Sequence, residues 1–198
     1  MPRRSRRVIQ LSAELAAAQP QGADASAVGA MGRRLPPWSL FIFVTIPVIV
    51  LDQLTKQIVR AHMELYQSIA LVNHYLDLTY TQNPGAAFSM LASAPPWVRE
   101  AFLLSLSATA IVVLGVLIAR SARVSVTSVA FALICGGAMG NLIDRAIRGR
   151  VIDFIRAHYY DWNFPVFNVA DSAITIGVSL IILISLFGMD DPPAPTHR

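Results

Sequence analysis

The sequence has one cysteine, Cys135, and one lysine, Lys56. A lone thiol excludes an intrachain disulfide and any metal cluster built from cysteines. The four histidines, His62, His74, His158 and His197, are scattered, and no HExxH pair occurs, so a zinc site of that type is not expected. There is no P-loop and no dinucleotide fingerprint. No serine sits in a recognisable nucleophile motif, and a Ser–Lys dyad would have to use Lys56. No metal and no cofactor are therefore expected. Charge is scarce as well: Asp, Glu, Lys and Arg make up 14% of the chain, against about a quarter in soluble domains.

Apolar residues fill the gap. They make up 55% of the 198 residues, and the mean hydropathy is +0.53, so the solvent of this chain is lipid. A net charge of +4 and a pI near 9.7 invite a nucleic-acid reading. The position of the charges argues against it. Arg3, Arg4, Arg6, Arg7, Arg33 and Arg34 precede the first apolar run, and no aromatic stacking surface is interleaved among the first four. Membrane topology and anionic lipid headgroups explain such arginines, and no nucleic-acid partner is expected.

Residues 1–36 read as a disordered basic tail without the apolar core of a signal peptide. Met31 opens a more compact beginning, "MGRRLPPWSLF", and residues 1–30 are expected to lie ahead of the natural start. A four-helix membrane domain is expected over 37–188, with spans at about 38–58, 99–119, 124–144 and 169–188, followed by a cytoplasmic tail over 189–198. "WSLFIFVTIPVIVL" is too short to span alone. The first helix must continue through "DQLTKQI", which carries Asp52 and Lys56 into its outer part. Arginines in the tail and in the short second connection (Arg120, Arg123) place both termini in the cytoplasm. Arg145, Arg148, Arg150 and Arg156 sit on the opposite side, which implies that they are bound to something. Between helices one and two, "SIALVNHYLDLTYTQN" alternates apolar and polar residues, and a small extracytoplasmic β-cradle is expected there.

With this topology the polar residues collect at one membrane face: Asp52 and Lys56, then Asn141, Asp144 and Arg145, then Asp153 and Asp161, then Asn168 and Asp171. Ionisable groups at membrane depth face a bundle interior or a wet cavity. Each also has a plain structural reading. Asp52 and Lys56 are four apart, as a helical ion pair requires. Asn168-x-x-Asp171 has the spacing of a capping box. Gly136 and Gly140 make a GxxxG packing motif. Asn83-Pro84-Gly85 reads as a turn, and Cys135 as a small buried hydrophobe. Their coincidence at one face points to chemistry. Two close carboxylates cannot both ionise easily, so one keeps a proton while the other activates water, as peptide hydrolysis by an aspartyl pair requires. Spacing leaves the partner of Asp171 open among Asp144, Asp153 and Asp161. Rival readings are a small ion-coupled transporter with the same carboxylates as a relay, and a scaffold whose polar residues lock helices.

The motifs "DQLTK" (52–56), "NPGAAF" (83–88), "GGAMGNLIDR" (136–145), "VIDF" (151–154) and "FNVADSAI" (167–174), in this order, resemble the lipoprotein signal peptidase (signal peptidase II) family, from about Trp38 to Phe187. The resemblance implies a four-helix aspartic endopeptidase of the bacterial cytoplasmic membrane, with its site near the extracytoplasmic face. It implies prolipoprotein substrates carrying diacylglycerol on the lipobox cysteine, cleavage just before that cysteine, sensitivity to globomycin, and membrane lipid as the other partner. A monomer is expected. The family's catalytic aspartates fall on Asp153 and Asp171. Asn83 and Arg145 are expected to position substrate, Asn141 and Asn168 to orient the dyad, and Asp52 and Lys56 to hold the architecture. Asp144 and Gly85 are supporting positions. The helix N-terminus makes Asp171 the expected ionised member of the pair.

Overall fold

The computed structural model describes residues 35–85, 95–160 and 162–188. Residues 1–34, 189–198, Asp161 and the Ala86–Phe88 part of "NPGAAF" lie outside them. A π-helical turn, Phe41–Thr45, leads into α1 (Ile46–His62). Pro47 accounts for the wide turn: proline has no N–H to bond the carbonyl four residues back and its ring crowds that carbonyl. Ile46 N–H bonds Phe41 O instead. α2 (Pro96–Arg120), α3 (Val126–Arg148) and α4 (Val169–Phe187) follow, and all four helices are long and apolar enough to cross a membrane.

α3 is the central helix. It packs against α1, α2 and α4, and half of its apolar stretch is buried, against 11% of that of α2. Small residues make this approach possible. A Cβ on Gly136 would press on Val48 and Thr45 O at the start of α1, and one on Gly140 would press on the Asp52 carboxylate. A Cβ on Gly137 would run into Ala170 O of α4. Gly177 answers from α4, where a Cβ would lie 2.7 Å from Ala130 O. The GxxxG motif is thus a close-packing device, and Gly137 extends it to a second neighbour.

The connections at one end of the bundle form a four-stranded antiparallel sheet in the order β1-β2-β3-β4: β1 (Ser68–Val72), β2 (Leu76–Asn83), β3 (Val151–Tyr159) and β4 (Trp162–Asn163). The cradle expected between helices one and two is half of it. The other half comes from the connection between α3 and α4, whose residues read in the sequence as an outer loop. The strand signal was present in "VIDFIRAHYY", rich in β-branched and aromatic residues, but charged residues interrupt it. Val59 and Met63 of α1, Tyr80 of β2, and Ile152 and Phe154 of β3 form the core beneath the sheet. Register then sets chemistry: Thr81 stands opposite Asp153 and Asn83 opposite Val151. Phe167 bonds back to Phe154 and Ile155, which returns the chain along β3 and delivers Asn168 beside Asp153.

If α3 and α4 touch at their glycines, Gly177→Val should destabilise the protein by about 1–3 kcal/mol through overpacking. Gly115→Ala is the control, because a Cβ there meets nothing within 4 Å; it should be neutral or slightly stabilising. Thermal unfolding in detergent checks both. A Gly177→Val protein as stable as wild type would contradict the packing.

Candidate active site

The site is built outward from Lys56, whose side chain is 0% exposed. An ammonium has three protons and no acceptor. Here it bonds Asp52 Oδ2 at 2.7 Å, Asp144 Oδ2 at 2.9 Å and Asn141 Oδ1 at 3.0 Å. The two carboxylates are held in turn. Asp52 Oδ1 accepts from Ala170 N at 3.0 Å, Asp144 Oδ2 accepts from Ile152 N at 3.2 Å, and Asp144 Oδ1 accepts from Arg148 at 2.5 Å. Gln53, which sequence reasoning passed over, ties Gly140 O at 3.0 Å to the same cluster. Its place inside "DQLTK", next to Asp52, was the available signal.

Three asparagines carry this order to two aspartates, each with its amide orientation forced. Lys56 can only donate, so the carbonyl of Asn141 faces it and the NH₂ group donates to Asp171 Oδ1 at 2.8 Å. The carbonyl of Asn168 caps α4 by accepting from Asp171 N at 2.9 Å, so its NH₂ donates to Asp153 Oδ1 at 2.7 Å. The carbonyl of Asn83 accepts from Gly85 N at 2.8 Å, so its NH₂ donates to Asp153 Oδ2 at 3.1 Å. Gly85 sits at φ 98°, a left-handed conformation that suits glycine and lets its N–H turn back onto Asn83. Asp171 Oδ2 closes the capping box by accepting from Asn168 N at 3.2 Å.

Asp153 and Asp171 line one cleft of about 570 Å³ with Asn83, Asn141 and Arg145. Its walls are otherwise mostly apolar: Val151, the segment Phe164, Pro165, Val166 and Phe167, and Ser172, Thr175 and Ile176 of α4. Phe164 belongs to a run of aromatics, with Tyr159, Tyr160 and Trp162, that the sequence marks as an interfacial belt able to gate a cleft; sequence reasoning did not single out the other wall residues. Asp144 does not line the cleft and is spent on Lys56 and Arg148. Asp161 lies outside the described residues. The arginines at this end do find partners: Arg148 on Asp144, Arg150 on Gln82 at 3.1 Å, and Arg156 on Asn163 and Asp77. The guanidinium of Arg145 lines the cleft, 3.5 Å from Asn141 O. Among the described residues, no group of three or more His, Cys, Asp or Glu is placed to hold a metal ion.

Burial, and after it the neighbouring Asp171, raise the Asp153 carboxyl from its ordinary 3.8 to about 6, against the opposing pull of the Asn83 and Asn168 amides and of Lys56. A buried carboxyl with a raised pKa beside a second carboxyl in a cleft has the properties of an acid–base pair.

A family model described as signal peptidase (SPase) II matches residues 44–187. The chain belongs to the signal peptidase II family. The lipoprotein signal peptidase of Photorhabdus laumondii subsp. laumondii is 43% identical over 151 residues, which cover 76% of this chain and 90% of that protein. The lipoprotein signal peptidase of Pseudomonas aeruginosa is 41% identical over 152 residues, 74% of this chain and 86% of that protein. Among solved structures, a bacterial membrane enzyme determined by the in meso method at 2.3 Å superposes with a TM-score of 0.67 and 32% identity, covering 81% of this chain and 95% of that one. A second, at 1.9 Å, gives a TM-score of 0.65 and 34% identity over 75% of this chain and 93% of that one. The signal peptidase II family makes the chain a multi-pass membrane peptidase, and the transporter reading finds no support.

The raised Asp153 carboxyl has a stability signature. Below pH 3.8 the folded and unfolded states both carry the proton. Between 3.8 and about 6 the unfolded chain releases it while the folded state keeps it, so stability falls as pH rises through this window and then levels off. The loss should reach about 3 kcal/mol relative to an Asp153→Asn variant. Unfolding curves of the two proteins from pH 4 to 8 measure it; parallel pH dependence would show that Asp153 is not perturbed.

Proposed function

We propose that this chain removes signal peptides from prolipoproteins as an aspartic endopeptidase, with Asp153 and Asp171 as the catalytic pair. The observation that carries the reading is the convergence of these two carboxylates at a largely apolar cleft beside α4, each gripped by asparagine amides, in a chain of the signal peptidase II family. The substrate's apolar signal segment and the diacylglyceryl group on its lipobox cysteine already lie in the bilayer. A cleft walled by Phe164, Val166 and Ile176 accepts such groups, and the sheet end of the bundle brings the scissile bond, just before the cysteine, to water. In this reading the sheet faces the extracytoplasmic side of the bacterial inner membrane, both termini are cytoplasmic, and the enzyme works as a monomer.

The chemistry follows from the two environments. Asp153, the more buried acid, carries the proton, and Asp171 acts as base. Asp171 takes a proton from water as the oxygen bonds to the scissile carbonyl carbon, and Asp153 gives its proton to the carbonyl oxygen. Collapse of the tetrahedral intermediate breaks the C–N bond, and the departing amine of the lipidated cysteine takes up a proton from the pair. Arg145 on the cleft wall orients the substrate main chain, as does Asn83.

Asp153→Asn and Asp171→Asn should each reduce cleavage of a diacylated prolipoprotein by about 10²–10⁴-fold or more, with protein levels unchanged. Retained cleavage in either variant would remove the dyad. In wild type, kcat/KM should fall as pH rises through about 6, where Asp153 loses its proton. Asn83→Ala deletes a bond that favours the ionised form, so this alkaline limb should move to higher pH, and a shift to lower pH would contradict the assignment.

A further inference from the structure

We propose that Thr175 is a substrate-recognition residue, whose hydroxyl donates a hydrogen bond to a carbonyl oxygen of the substrate inside the membrane. The proposal rests on the peptidase reading above and adds a contact at membrane depth, away from the reacting groups.

Thr175 lies four residues beyond Asp171 on α4, about 6 Å further along the helix axis into the span. It lines the cleft together with Asp171, Ser172 and Ile176. Hydroxyls in membrane helices often satisfy themselves on a carbonyl one turn back, and several in this protein do, although Ser107, Thr109, Ser179 and Ser185 make no such bond among the described residues. Thr55 donates to Leu51 O at 2.7 Å, Ser105 to Ala101 O at 2.7 Å, Ser121 to Leu117 O at 2.9 Å, and Ser172, in the same cleft, to Asn168 O at 3.0 Å. Thr175 has no hydrogen-bond partner among the described residues. Lipid tails offer no acceptor, so an unbonded hydroxyl at this depth is costly until a polar group enters the cleft.

The substrate brings such a group in two forms of one chemistry. A signal-peptide helix leaves its last carbonyls without intrahelical partners at its C-terminal end, next to the bond to be cut. The diacylglyceryl group carries ester carbonyls. A hydroxyl one turn below the catalytic pair is placed to donate to a carbonyl of either kind. It is made in the bound substrate and in the transition state alike, so its loss should appear in KM and leave kcat unchanged.

The test compares wild type, Thr175→Val and Thr175→Ser on a diacylated prolipoprotein in mixed micelles. Thr175→Val keeps the side-chain shape and removes the donor, and about a fivefold loss of kcat/KM is expected, carried by KM. Thr175→Ser restores the donor and should return KM to near wild type. Equal KM for Thr175→Val and wild type overturns the proposal. So does a loss shared by both variants, which would report packing, or a loss confined to kcat, which would report damage to the dyad through α4. Repeating the comparison with an ether-linked substrate separates the two acceptors. If the Thr175→Val effect disappears, the acceptor is the lipid ester; if it persists, the acceptor is the peptide main chain. Failure of the peptidase reading looks different, since cleavage would then survive Asp171→Asn whatever happens at residue 175.

Discussion

Three protons on one buried ammonium organise this site. Lys56 is closed off from solvent and from lipid, and each of its N–H bonds ends on a different helix-borne oxygen: Asp52 of α1, Asp144 of α3 and Asn141 of α3. With Arg148 on the second oxygen of Asp144, two cations meet two carboxylates. Such a cluster is a poor source of net stability, because desolvation offsets most of the attraction, but losing one partner is severe, at about 3–5 kcal/mol. Its value is geometric. It joins α1 to α3 and, through Ala170 N on Asp52 and Ile152 N on Asp144, fixes the start of α4 and the start of β3.

The same logic recurs one layer out. Asparagine amides are ambiguous unless something forces their sense, and here each is forced by a group that can only donate: Lys56 for Asn141, the Asp171 N–H for Asn168, the Gly85 N–H for Asn83. All three NH₂ groups are thereby turned toward Asp153 or Asp171. Among the described residues no cation bonds either carboxylate, and the two acids share the lip of an apolar cleft. Burial, and after it the neighbouring Asp171, raise the Asp153 carboxyl to about 6. The glycines of α3 and α4 belong to the same economy. Gly140 has no Cβ because the Asp52 carboxylate occupies that space, and Gly137 has none because the backbone of Ala170 does.

Local features of this design were legible in the sequence. The four apolar runs marked the helices, the four-residue spacing marked the Asp52–Lys56 pair, and Asn168-x-x-Asp171 marked a capping box that the structure contains with both bonds present. The surplus of arginines at the sheet end implied partners, which Arg148, Arg150 and Arg156 have. Long-range pairing was not legible. β3 reads as a loop because Asp153, Arg156 and His158 interrupt its apolar residues, and only pairing with β2, more than sixty positions away, makes it a strand. Composition likewise gives Asp144, Asp153 and Asp171 equal standing. What separates them is tertiary: Asp144 is consumed by Lys56 and Arg148, while Asp153 and Asp171 share a cleft. Family resemblance pointed to the same two residues from motif order alone, without a physical reason; the hydrogen-bond chain from Lys56 supplies one.

In the proposed mechanism Asp153 and Asp171 act together on one tetrahedral centre. The most direct measurement is a structure of the enzyme with a diacylated lipobox peptide whose scissile amide is replaced by a hydroxyethylene group. That hydroxyl should lie within hydrogen-bond distance of both carboxylates, with the lipid and signal segments in the cleft along α4. A hydroxyl bonded to only one of them, or bound outside this cleft, would contradict the mechanism.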